Sequence, residues 1–194
     1  MPVVTTYVSD GTCLRLRIGT PEDVAELLAG FERFSDESRY KRFFTAKPHL
    51  TEPMLEHLVA VDRERHVAIG AFDPACPSPA GGEDGAGIGV VRVIRETRDA
   101  KQAEFSISVV DDYQHRGVGR VLMEAAAVVA DRLGIVSLHG TVLAENLPMR
   151  RLALSLGATQ NEVEDAAVLE YEVDVAETLA ALPADRRQAL ESLW

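Results

Sequence analysis

The sequence predicts an α+β fold, a mixed and mostly antiparallel central sheet flanked by helices, on three observations. The runs "IGVVRVIR" (88–95) and "AEFSISVV" (103–110) are rich in β-branched residues and lie at hairpin spacing, so they read as neighbouring antiparallel strands. The stretch "DDYQHRGVGRVLMEAAAVVADRLG" (111–134) follows at once. Its polar turn with two glycines enters an apolar-striped helix, which is how a βα crossover begins. No segment repeats and no low-complexity linker divides the 194 residues, a length that supports one sizeable core with an appended helix but not two full domains. Residues 1–194 are therefore expected to form a single domain with a helical extension from about residue 175.

Each element has its own signal. "LRLRI" (14–18) alternates apolar and basic residues as a strand does. "GTPEDVAELLAGFERF" (19–34) opens as a helix, with Thr20 as N-cap, Pro21 at the first position and acids in the first turn. Val24, Leu27, Leu28 and Phe31 form its apolar stripe. Shorter helices are predicted over "DESRYKRFF" (36–44), either as a solvated face with Tyr40, Phe43 and Phe44 packed inward or in direct contact with substrate, and over "TEPMLEHLVAV" (51–61). "HVAIGAF" (66–72) is a strand, and "DPACPSPAGGEDGAG" (73–87) is a loop on its Pro and Gly content. Beyond the long helix come a strand "SLHGTVL" (137–143), a helix within "ENLPMRRLALSLG" (145–157) that stops at Gly157, and a last strand "AAVLEYEVDV" (166–175). Pro183 splits "AETLAALPADRRQALESLW" (176–194) into two helical pieces, in which Leu179, Leu182, Leu190 and Trp194 form a docked cap or a homodimer contact.

Composition narrows the function. A formal net charge of −11 disfavours general nucleic-acid binding, which works by neutralising phosphates, and suits a basic substrate or partner. No apolar run approaches membrane-spanning length, and "MPVVTTYVSDG" lacks the basic and apolar regions of a signal peptide, so a cytoplasmic location is expected. Cys13 and Cys76 are far apart, and His49, His57, His66, His115 and His139 show no HExxH spacing, so no metal site is expected. There is no GxSxG elbow and no convincing Cys/His pair for nucleophilic catalysis.

The glycine turn admits two readings. Gly117 and Gly119 either make a tight strand-to-helix turn, or leave the first amides of the helix bare for an anion, with Arg116 and Arg120 adding charge. No Gly-Lys-Ser/Thr follows, so it is not a Walker loop, and Leu122 stands where GxGxxG needs its last glycine. On the strand before it, Phe105, Ile107 and Val109 share one face, and Glu104, Ser106 and Ser108 share the other. On this pattern alone Glu104 reads as one half of a cross-strand ion pair, for example with Arg92. Asn146 reads as a helix N-cap.

Gln114-x-x-Gly117-x-Gly119, after an alternating strand and before a long helix, resembles the coenzyme A pyrophosphate loop of the GNAT superfamily of acyltransferases. "SRYKRFF", "AEFSISVVDDYQHRGVGR" and "AENLPM" are similar to segments of its bacterial Pat-type branch, the protein lysine acetyltransferases, and the likeness runs from about residue 14 to 158. It implies a GNAT-like sheet and acetyl-CoA as co-substrate, with no room in this length for the further domains fused in some relatives. By the same resemblance the amides of His115, Arg116, Gly117, Val118, Gly119 and Arg120, with Gln114, cradle the pyrophosphate. The strand splays at a bulge, the backbone of Ile107, Ser108 and Val109 bonds the pantetheine arm, and Asn146 touches the coenzyme.

Glu104 is then the general base for an amine that arrives protonated, and partial burial is expected to raise its proton affinity. The resemblance fails at one point. The family's usual Tyr, seven residues after Asn146, is Ala153 here, which leaves the acid for the departing thiolate open among Tyr113, Tyr171 and the histidines. The implied acceptor is a protein lysine, such as that of an acyl-CoA synthetase. A small amine, such as a polyamine or aminoglycoside, and a non-catalytic acyl-CoA sensor are the alternatives.

Overall fold

The computed structural model describes residues 2–46, 49–161 and 163–194. Its strands are β1 Val4–Tyr7, β2 Cys13–Ile18, β3 His66–Asp73, β4 Ala86–Ile94, β5 Gln102–Val109, β6 Ser137–Leu143, β7 Thr159–Asn161 and β8 Val168–Asp174. Its helices are α1 Val24–Glu32, α2 Asp36–Phe43, α3 Glu52–Val59, α4 Val118–Arg132, α5 Leu147–Ser155, α6 Val175–Ala180 and α7 Ala184–Glu191. The strands form one sheet in the order β1-β2-β3-β4-β5-β6-β8-β7. Every neighbouring pair is antiparallel except β5–β6, which is parallel because α4 carries the chain across between them. This is the GNAT-like α+β arrangement that the sequence predicts.

Local chemistry accounts for the element ends. A 3-10 turn at Pro21–Asp23 precedes α1, and the Asp23 carboxylate reaches back to accept from the Thr20 N–H at 2.8 Å. Ser35 caps α2 by accepting from the Ser38 N–H at 3.2 Å. Asn146 caps α5 and Asp174 caps α6 in the same way. Two strands lie outside the sequence reading. β1 is only four residues long, and β7 is exposed throughout, so neither carries an apolar run.

The core lies on both sides of α4. Val118 and every residue from Val121 to Ala130 is buried, because the sheet covers one side of the helix and α6 and α7 cover the other. Leu179, Leu190 and Leu193 seal that cap, while Trp194 stays partly exposed beneath the Arg63 guanidinium. The helices after residue 175 therefore dock on the domain's own core.

One contact sets the relation of β5 to β6. The buried Phe105 ring lies over Gly140, where a Cβ would come within 2.6 Å of Cζ. Gly140→Ala is expected to destabilise the fold by about 1–3 kcal/mol, the usual cost of overpacking. A urea transition unchanged within 0.5 kcal/mol would show that the ring moves aside freely.

Candidate active site

The parallel ladder of β5 and β6 is short. It pairs Gln102 with Ser137, Ala103 with Leu138 and Glu104 with His139, and then stops. β5 continues along β4 as far as Val109 opposite Gly89, and β6 continues along β8 as far as Leu143 opposite Val168. Each strand thus follows its outer neighbour, and a gap opens beyond Glu104. The bulge expected in β5 is absent: its register with β4 is unbroken, and among the described residues the one irregularity lies between β3 and β4 at Ala71/Phe72.

Backbone groups line this gap. The Val110 N–H donates to the Ile88 carbonyl at 2.9 Å, toward β4. Because successive residues of a strand alternate their hydrogen-bonding edge, Ile107 and Val109 turn theirs into the gap. The Val109 carbonyl is already occupied by the Gln114 side-chain amide at 3.0 Å, so the Val109 N–H and both the N–H and carbonyl of Ile107 face the opening.

The gap leads to the mouth of α4. Gly117 is the N-cap in a left-handed conformation (φ 96°), which glycine adopts without strain, and no side chain caps the helix. Its first amides therefore point outward at the positive end of the helix dipole, geometry that suits a phosphate. A Cβ on Gly119 would stand 3.1 Å from Leu152 Cδ2, so backbone, not side chain, forms this surface.

The gap and the helix mouth belong to one cleft of about 1620 Å³ including its opening. Glu104, Ile107, Ser108, Val109, Gln114, His115, Gly117, Gly119, Arg120 and Asn146 all line it. Arg116 and Val118, expected there through their backbone amides, do not bring their side chains to it. The Arg116 side chain turns away to pair with Asp10 at 2.7 Å and covers the Tyr113 ring, and Val118 is fully buried in the core. Arg120 is anchored by the Ser155 carbonyl at 3.0 Å and its hydroxyl at 2.8 Å. Asn146 lines the cleft while its Oδ1 accepts from the Met149 N–H at 3.3 Å.

Glu104 departs from expectation in two ways. It is exposed, so the expected partial burial is missing. It also does not face Arg92: Ile94 is opposite Glu104, and Arg92 is opposite Ser106. The charge that acts on Glu104 is Arg42 of α2, whose Nη2 donates to Ser106 Oγ at 2.9 Å.

α2 itself is a cleft wall. Ser38, Lys41, Arg42 and Phe44 line the opening, and Tyr40 and Phe44 are exposed, not packed inward. Only Phe43 finds an aromatic partner, Phe31. Asp111 holds the helix in place by accepting from the Ser35 N–H at 3.0 Å, the Ser35 hydroxyl at 2.6 Å and the Ser38 hydroxyl at 3.0 Å. Burial acts to raise the Asp111 pKa, but these hydrogen bonds outweigh it and hold the carboxyl below its usual value. Gln114 donates to Ser38 Oγ at 3.0 Å and completes the link between α2 and the turn before α4.

The tyrosines left open as acids lie elsewhere. Tyr113 is buried and donates to Asp73 at 2.6 Å, and burial, then that bond, raises its pKa. Tyr171 is fully buried with its hydroxyl on Gln160, and Ala153 is buried in the core. No tyrosine is among the described residues that line the cleft, whereas His115 is. Among the described residues no cluster of three or more His, Cys, Asp or Glu side chains could hold a metal ion, and no helix is long and apolar enough to cross a membrane.

Known proteins resemble this chain in sequence and in fold. Residues 14–159 match the family described as "Acetyltransferase (GNAT) domain". Acetyltransferase Pat of Mycolicibacterium smegmatis is 35% identical over 176 residues, which cover 89% of this chain and 49% of that protein. The chain thus spans about half the length of that relative. The GNAT domain of S. lividans PAT superposes with a TM-score of 0.79 at 30% identity, covering 89% of this chain and 96% of that one. A cAMP-binding acyltransferase from Mycobacterium smegmatis gives 0.68 at 28% identity over 99% of this chain and 53% of its own. On these matches the chain belongs to the GNAT acetyltransferase family.

Proposed function

We propose that the chain transfers the acetyl group of acetyl-CoA directly to the ε-amine of a protein lysine, with Glu104 as general base. The observation that carries this reading is the position of Glu104: its exposed carboxylate stands at the last paired step of β5, where the gap leading to the α4 mouth begins. The pyrophosphate would rest on the amides from Gly117 to Arg120 and the pantetheine arm along Ile107–Val109. A lysine amine, with a reference pKa near 10.4, arrives protonated, and Glu104 takes its proton directly or through one water. The amine nitrogen then attacks the thioester carbonyl, and an N–H of Ile107 or Val109 faces the developing oxyanion. The thiolate, with a reference pKa near 8.5, leaves with little help, which fits a cleft that no tyrosine lines.

An acyl-CoA synthetase lysine is the acceptor we infer, on the likeness to the Pat-type branch, and we place the reaction in the cytoplasm. The open side of the cleft beside Lys41 and Phe44 supports a protein acceptor, because a tethered lysine must enter from solvent. Incubation of the purified chain with labelled acetyl-CoA and a cell lysate is expected to label protein bands. Label passing to spermidine or an aminoglycoside at many times the rate for any protein would sink the acceptor assignment and leave the acetyl-CoA chemistry standing.

A further inference from the structure

A second cavity lies beneath α1, α2 and α3, against the face of β5 that carries Ser106 and Ser108. It holds about 940 Å³ including its opening, and Leu27, Phe31, Phe34, Phe43 and Leu58 give it mostly apolar walls. Arg42, Phe34, Ser106 and Ser108 line both this chamber and the coenzyme cleft, so the two spaces adjoin at the proposed position of the thioester.

Two guanidinium groups converge at that junction. Arg92 sits directly opposite Ser106 on β4, so both side chains project from the same face of the sheet. Arg42 reaches Ser106 from α2 at 2.9 Å. Arg92 is 3% exposed, and its Nη1 donates to the Leu58 carbonyl at 2.8 Å. Burial, then the charge of Arg42, lowers the Arg92 pKa to about 10, which leaves it charged near neutrality. Burial likewise lowers Arg42, with exposed Glu104 the one carboxylate acting against it. His66 lies 3.4 Å from Arg92; burial, Arg92 and His57 lower its pKa to about 4, so it is neutral. Asp23 of the chamber wall is paired with Arg17, whereas Glu26 accepts only from the Ser78 hydroxyl and keeps its Oε2 buried without a hydrogen-bond partner, on the wall away from Arg92. Among the described residues neither Arg42 nor Arg92 forms an ion pair with a carboxylate.

A buried positive charge without a paired carboxylate is costly, and buried Arg92 with half-buried Arg42 beside it at the edge of an apolar chamber makes a site for an anion. The chamber is narrow and mostly apolar, whereas the coenzyme cleft opens beside the exposed Phe44, so the lysine of a folded protein is assigned to the cleft's open side. The group that extends inward from the thioester is the acyl tail. We propose that this chamber receives the free carboxylate of a short dicarboxylic acyl group, so that the enzyme takes donors such as succinyl-CoA as well as acetyl-CoA. The reaction balances as before: the amine nitrogen bonds to the thioester carbonyl carbon, the C–S bond breaks, coenzyme A leaves as the thiol, and the distal carboxylate is unchanged. The chain's net charge of −11 disfavours an extra negative charge on the ligand, so any preference for it must come from these local arginines.

This inference rests on the coenzyme-cleft reading, and donor binding separates the two. Calorimetry on the full chain would compare succinyl-CoA with butyryl-CoA, a neutral donor of the same length, and with acetyl-CoA. Succinyl-CoA is expected to bind roughly tenfold or more tightly than butyryl-CoA, the scale of one charge-assisted hydrogen bond. Arg42→Gln should erase most of that ratio and Arg42→Lys should keep part of it, each variant's fold being checked by circular dichroism. Equal or weaker binding of succinyl-CoA by the wild-type chain would overturn the proposal alone, as would a ratio that survives in Arg42→Gln. If none of the three donors binds, the cleft reading fails and the proposal falls with it.

Discussion

Gly119→Asp is expected to abolish coenzyme binding in a chain that still folds. Gly119 sits in the first turn of α4, where the amides have no intrahelical acceptor and Gly117 supplies no side-chain cap. A carboxylate there would bond to those amides itself and place a negative charge where the pyrophosphate must approach. Losing two or three charge-assisted hydrogen bonds weakens affinity roughly a hundredfold or more. The helix itself should tolerate the change, because an acid in the first turn favours the dipole. The new Cβ meets Leu152 Cδ2 at 3.1 Å, a conflict that a leucine methyl relieves by a small shift. Gly119→Ala separates the two effects, since it adds the same Cβ without charge and should weaken binding far less. Coenzyme A affinity in Gly119→Asp within threefold of wild type, with a native far-ultraviolet spectrum, would remove the α4 mouth from the binding site.

Much of this arrangement was legible in the chain because it follows from period and punctuation. The alternation of "AEFSISVV" separates Glu104, Ser106 and Ser108 from Phe105, Ile107 and Val109, and the glycines at 117 and 119 mark a bare helix start. What remained hidden depends on distance in sequence. Asp111 bonds Ser35 from 76 residues away and so folds α2 over the cleft, and nothing in "DESRYKRFF" records that contact. The place of Arg116 in the loop points it toward the phosphate, whereas Asp10 and Thr12, more than a hundred residues earlier, capture it. Glu104 shows a different limit: alternation assigns a side chain to a face but does not say whether that face is covered. The four-residue β1 and the fully exposed β7 have too little apolar content to register at all.

Glu104→Gln should lower turnover by roughly 10²–10⁴-fold, the usual contribution of a general base, while acetyl-CoA still binds. The substitution keeps the shape and hydrogen-bonding reach of the side chain and removes only its ability to take a proton. Its position makes the effect specific, because Glu104 is the last β5 residue paired with β6 and the cleft that it lines begins there. The cross-strand pairing that would have explained the residue otherwise is absent, since Arg92 stands opposite Ser106 and Arg42 is the charge acting nearby. A purely electrostatic role for Glu104 toward Arg42 predicts a different pattern: Gln would alter binding or stability and leave the pH dependence of turnover intact. For a general base the deficit should shrink as pH rises, because a growing fraction of a lysine acceptor, with a reference pKa near 10.4, is already deprotonated. Turnover and its pH profile would therefore be measured together, with a pre-steady-state burst experiment to confirm that acyl transfer limits the rate. Turnover within about threefold of wild type at neutral pH, with transfer limiting, would take Glu104 out of the chemistry and leave its electrostatic effect on Arg42 as its role.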